Sequence, residues 1–120
     1  MTPCWRDERG FATITGAFAI AAVAAATLAV LYVGGAVLAR HRAQSAADLA
    51  ALAGAADLVM ALPDPCVTAR QIAEVQRTRA RVRSCRTDGT DLVLSVAVPV
   101  ALGPFGMHEA VATARAGPVG

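Results

Sequence analysis

The side chains able to do chemistry are few, and their spacing narrows what that chemistry is. Cys66 and Cys85 are separated by a distance in sequence that suits a loop closed by a disulfide. Such a crosslink contributes about 3 kcal/mol by restricting the unfolded chain. It persists only in an oxidising compartment, so a bonded pair puts the C-terminal part outside the cell. The same residues also fit two free thiols buried in a cytosolic head, because unpaired cysteine is itself a frequent core residue. Cys4 stands apart, near the N-terminus. There is no CxxC, and His41 and His108 lie far apart, so no zinc site, other metal or cofactor is expected. Ser45, Ser84 and Ser95 have no His and Asp at a recognisable spacing, and no glycine-rich phosphate loop occurs. The chain is therefore not expected to be an enzyme or to take a small-molecule substrate. The arginines at 77, 79, 81, 83 and 86 could meet anionic headgroups, wall polymers or nucleic acid. No aromatic platform accompanies them, so nucleic acid is not expected, and base rates for charged residues favour a solvated face.

These residues flank a segment with no charge at all. "RDERGFATIT" packs four charges against Gly10 and then becomes apolar, and from Gly10 to Ala39 the one ionisable side chain is Tyr32. The run exceeds the roughly 20 apolar residues that cross a bilayer core as helix. A cleavable signal peptide is the rival reading, but its apolar region is about 7 to 15 residues long. A buried soluble helix fits less well, since so small a domain could not surround it. The domain plan is a charged leader over 1–10, a transmembrane helix over 11–39, an amphipathic extension of that helix over 40–61 and a small head over 62–120. Orientation is not set by arginine, because Arg6 and Arg9 precede the span while Arg40 and Arg42 follow it. The cysteines decide instead: leader in the cytoplasm, head outside. Ala17, Ala21, Ala25 and Ala29 recur at every fourth residue, the spacing of small-residue seams that let membrane helices approach closely.

The elements that position the head follow from pattern. Helix formers continue without proline to Pro63, with Leu49, Leu52, Ala56 and Val59 at helical spacing and His41, Gln44, Ser45 and Asp48 on another face. One helix from about Phe11 to Ala61, roughly 75 Å long, is expected. Gly34-Gly35 and Gly54 are its weak points. Its extension is expected to lie against the chain's own C-terminal part. Asp64-Pro65 reads as an N-cap followed by proline at the first helical position, opening a short helix over about 65–79. "RVRSCRT" and "DLVLSVAVPV" flank Asp88-Gly89, and Leu92, Leu94, Val96, Val98 and Val100 alternate strictly, so a hairpin with one buried face is expected. "HEAVATARAG" supplies a third strand whose alanines leave room for a helix. The fold class is α+β: a long N-terminal transmembrane and amphipathic helix packed on a small helix and an antiparallel sheet of about three strands. So thin a sheet is not stable alone and needs the long helix.

A charged N-terminus ending in Gly10, an immediate apolar helix and a helix-plus-sheet head resemble type IV pilins and pseudopilins. "ARHRAQSAADLAALAGAA", residues 39–56, resembles the helical signature of the TadE/TadG-like proteins of tight-adherence (Flp) pilus systems. Cys85 ahead of "DGTDLVLSVAV", with "ATARAGP" near the end, is most similar to the actinobacterial TadE-like proteins named for their helicase and secretion gene neighbourhood. The resemblance implies a charged leader facing the cytoplasm and a membrane prepilin peptidase that cuts between Gly10 and Phe11. It also implies, as partners, the membrane, other pilin or pseudopilin subunits and inner-membrane proteins of a secretion system. One departure carries a further implication. Pilins that polymerise well have glutamate at the fifth mature position, where this chain has Thr15, and the first carboxylate after the junction is Asp48. That implies a minor or priming subunit, not a bulk pilin. The alternatives are an uncleaved anchor subunit of a secretion or wall complex and a secreted small binding protein with a signal peptide.

Overall fold

The structure, a computed structural model, describes residues 4–76 and 79–119, with side chains from Gly10 onward. Nothing before Pro63 stops a helix, and the chain winds through one unbroken α-helix, α1 (Cys4–Val59). The helix therefore begins inside the charged leader, and the boundary expected at Phe11 has no mark in the backbone. The chain divides into two compact units within α1, between Gly34 and Gly35, the glycine pair where the helix is weakest.

The stop is built in two steps. Ala61 takes a left-handed φ of 53°. The Ala61 N–H donates to Leu58 O at 3.1 Å and the Leu62 N–H to Asp57 O at 2.9 Å. That pair of bonds is a Schellman cap, with alanine where glycine is usual, and Pro63 prevents any resumption. Helix α2 (Pro65–Val75) follows, with Pro65 at its first position. Asp64 holds the N-cap position through its backbone alone, its carbonyl receiving the N–H groups of Val67 at 3.2 Å and Thr68 at 3.4 Å; its side chain makes no cap bond. The Thr68 hydroxyl donates instead to the Asp57 carboxylate, pinning α2 to the last turn of α1. Helix α2 ends four residues short of the expected Arg79, because Gln76 is already extended at φ −72° and ψ 131°.

Three strands then form an antiparallel meander in the order β1 (Arg81–Asp88), β2 (Asp91–Ala101) and β3 (Met107–Ala116). Asp88 pairs with Asp91. The β1–β2 turn is thus Gly89-Thr90, with Gly89 at φ 64°, as a glycine-first two-residue hairpin requires. Arg115 on β3 reaches this turn, its Nε donating to Asp91 at 2.7 Å while its other nitrogen lies 3.2 Å from Asp88. That hydrogen bond and the Asp91 charge raise the guanidinium pKa above its ordinary value. Any stability linked to it is present at lower pH and lost only as pH climbs through that raised value, so the clamp is insensitive to pH near neutrality. A bulge at Arg83 turns that side chain outward, where it pairs with Glu109.

The alternation of β2 holds: Leu92, Leu94, Val96 and Val98 are buried, and Ala112 and Ala114 of β3 lie buried beside them. What covers them differs from the sequence reading. Leu49, Leu52 and Val59 face outward, Leu52 being 61% exposed. The packed face of α1 consists of Ala39, Ala43, Ala46, Ala47, Ala50, Ala51 and Ala55, joined in the core by Ala69 and Ala73 of α2. Close approach explains the inversion. A Cβ built on Gly54 would overlap Leu92 Cδ2 and stand 2.9 Å from Pro65 O, so no leucine fits on that side.

Candidate functional site

The residues singled out by the sequence place the candidate site on a set of surfaces along α1 and at the end of the sheet. The junction expected to be processed lies within α1. The Gly10–Phe11 bond is helical, and Phe11 is 74% exposed. A Cβ on Gly10 would meet nothing within 4 Å. Packing therefore places no demand on glycine here, and a requirement for it must come from whatever acts on the bond. Glycine has the lowest helix propensity apart from proline, so the helix opens there more readily than at its neighbours.

Beyond the junction, Ile14, Phe18, Ile20, Val23, Val30, Leu31 and Val33 are all exposed, and the apolar segment is bare on every face. Ala17 and Ala21 floor a shallow apolar notch between Ile14 and Phe18, a place for a neighbouring side chain to enter. Ala25 and Ala29 continue that face and are exposed. The Thr27 hydroxyl donates to Val23 O at 2.8 Å, satisfying its one strong donor within the helix. The segment is long and apolar enough to cross a membrane.

In the second unit, Cys66 in the first turn of α2 and Cys85 on β1 form a disulfide with Cα atoms 5.8 Å apart. It straps the edge strand to the helix, and Cys66, Cys85 and Ile72 pack against the buried core. Cys4 keeps its helical backbone position, and its side chain lies outside the described ones. Arg81, Arg83 and Arg86 are exposed, as expected of a solvated face, while Arg77 lies outside the described residues. Arg79 is exposed and holds a left-handed φ of 56°.

Two features escaped the sequence reading. One is the outward stripe of Leu49, Leu52 and Val59, opposite the alanine face. Its spacing was visible, but hydropathy does not tell which of two apolar faces a neighbour can approach closely. The other is the apolar exposure of the β2–β3 connection: "ALGPFG" joins the two strands, as its residues suggest, but it turns through a short 3-10 segment, Gly103–Phe105, that leaves Phe105 75% and Met107 68% exposed. Its signal is the absence of any polar side chain from Val96 to Met107.

The described chain is α+β: an apolar helix long enough to cross a membrane, and a disulfide-strapped head of one short helix and three antiparallel strands. Residues 10–57 match the family described as putative Flp pilus-assembly TadE/G-like. This stretch carries the helical signature read from residues 39–56 and all of the apolar run, and over it the chain is similar to Tad-type pilus-assembly proteins. The match stops before α2 and the sheet. No curated protein and no solved structure matches the chain.

Proposed function

We propose that the chain is a minor, pseudopilin-like subunit of a Tad/Flp-type pilus or a related secretion apparatus, and that its work is assembly, not catalysis. The observation that carries this reading is the combination, in one matched segment, of an apolar helix bare on every face with no carboxylate between Gly10 and Asp48. Such a helix is stored in the bilayer and can later pack on partner helices through the Ala17/Ala21 notch. It has no buried charge with which to hold a neighbour's new amino terminus. The leader faces the cytoplasm, and the disulfide-bonded head lies outside, where oxidising conditions keep Cys66 and Cys85 joined. A prepilin peptidase cuts after Gly10, leaving Phe11 as the mature N-terminus. Cys85 ahead of the β1–β2 hairpin and the closing "ATARAGP" favour the actinobacterial branch that borders helicase and secretion genes.

Co-expression with a prepilin peptidase, with and without the other pilins of the system, tests the reading by intact mass and electron microscopy. A mass lacking residues 1–10, with fibres that contain this chain only when other pilins are present, is the expected result. Fibres of this chain alone would remove the minor-subunit role, and a full-length mass would make it an uncleaved anchor.

A further inference from the structure

Surface connections are normally rich in polar side chains, and the β2–β3 connection has none. Val100, Ala101, Leu102, Pro104, Phe105 and Met107 follow one another with only glycines between them, and Phe105 and Met107 are largely exposed. His108, the first polar residue after them, is turned back onto Phe105 O at 2.9 Å. Beside the connection runs a groove of about 370 Å³. Leu38 and Ala39 of α1 line one side of it and Val98, Val100 and Met107 the other. Its only charged lining residues are Arg42 and Arg79. Neither makes an ion pair among the described residues, whereas Arg83 and Arg115 both have carboxylate partners.

The position of this groove along α1 identifies what it meets. The uncharged run ends at Ala39, and Arg40 and Arg42 follow it at once. Arginines at the end of a spanning helix reach to headgroup level. Leu38, Ala39 and Arg42 line the groove, as do Ala101 and Met107 on either side of the connection, so the groove lies at that level. We propose that this end of the head is a second membrane contact, in which Phe105 and Met107 enter the interfacial zone while Arg42 and Arg79 bind the phosphate of an anionic phospholipid. Charge selects the occupant: two unpaired guanidiniums over apolar walls suit a phosphate carried on a glycerol and acyl stem.

The proposal rests on the reading of α1 as a membrane span, and its test separates the two. The full-length protein with Cys4→Ser is reconstituted in vesicles of phosphatidylcholine, with or without phosphatidylglycerol, and spin-labelled at Met107→Cys or, separately, at Ala21→Cys. Intact mass verifies the Cys66–Cys85 bond in each variant. The Ala21 label should lie in the hydrocarbon core, and the Met107 label should lie at headgroup depth when phosphatidylglycerol is present. Arg42→Gln with Arg79→Gln should weaken the binding of spin-labelled phosphatidylglycerol about 30-fold, at about 1 kcal/mol for each basic residue near an anionic surface. A Met107 label in water in both vesicles, with the Ala21 label in the core, overturns the proposal and leaves the span intact. Binding that ignores the arginine replacements overturns the headgroup assignment. Shelter of Met107 that appears only at high protein-to-lipid ratio makes the occupant a second copy of the chain and overturns it too. An Ala21 label outside the core would remove the span itself.

Discussion

At the scale of single residues, three small residues, two within α1 and one just past its end, carry opposite expectations. Gly54 sits where a methyl group would overlap Leu92 and crowd Pro65 O. Gly54→Ala should therefore destabilise the head by about 1–3 kcal/mol through overpacking, despite the better helix propensity of alanine. Gly35, whose Cβ would meet nothing within 4 Å, should accept alanine with a gain of up to about 1 kcal/mol. Ala61 is the converse case: it occupies the left-handed position of the Schellman cap. Ala61→Gly should stabilise by about 1 kcal/mol, the lower end of the steric cost of that conformation. Denaturant midpoints of the full chain in detergent micelles rank all three, and a stabilising Gly54→Ala would mean that α1 and β2 do not approach as closely as described. The junction obeys the same logic. Gly10→Leu meets no steric obstacle in the fold, so insertion should persist while cleavage by the peptidase stops, read by intact mass of the membrane fraction.

At the scale of elements, the disulfide and the two faces of α1 are separable. Cys66→Ser leaves β1 an edge strand without its strap and should lower the head's stability by about 3 kcal/mol. Denaturant midpoints with and without reductant read this, and identical midpoints would show that the bond contributes nothing. Leu52→Gln, on the outward stripe, should move the midpoint by no more than about 0.5 kcal/mol and, under the proposed pilus role, reduce incorporation into pili, whereas Ala50→Leu on the packed face should unfold the head. The sheet was legible because Leu92, Leu94, Val96 and Val98 alternate with period two, and the hairpin was legible because glycine punctuates it. The alanine face was not. Leucines at helical spacing carry the stronger hydropathy signal, and only the tertiary approach of β2 reveals that small residues were needed on the inner side. The early end of α2 was equally hidden, since "VQRTRA" contains no breaker, and the leader's helix was hidden because four charges beside a glycine read as a boundary. The Cys66–Cys85 pair was legible as a possibility from its spacing, but the choice between a bond and two thiols needed the strand and helix placed side by side.

At the scale of the whole molecule, the apolar segment of α1 and the head depend on solvent in different ways. The first presents apolar surface on every face and needs lipid or partner helices to cover it. The head buries its own core, and the make-up of that core fixes how it should respond to temperature. Apart from Leu92, Leu94, Val96 and Val98, every buried apolar residue among those described is an alanine. An alanine loses no side-chain rotamer freedom on burial, but it removes little hydrocarbon from water. Hydration of that hydrocarbon is the source of the heat-capacity increase on unfolding, ordinarily about 12–15 cal/mol/K per residue. Calorimetry of the head's transition in the micelle-bound chain should give a smaller increment per residue and a stability curve flatter than usual. A head built this way loses little stability on cooling and melts over a wide range on heating, a thermal character set by the smallness of the side chains that bring α1 against the sheet.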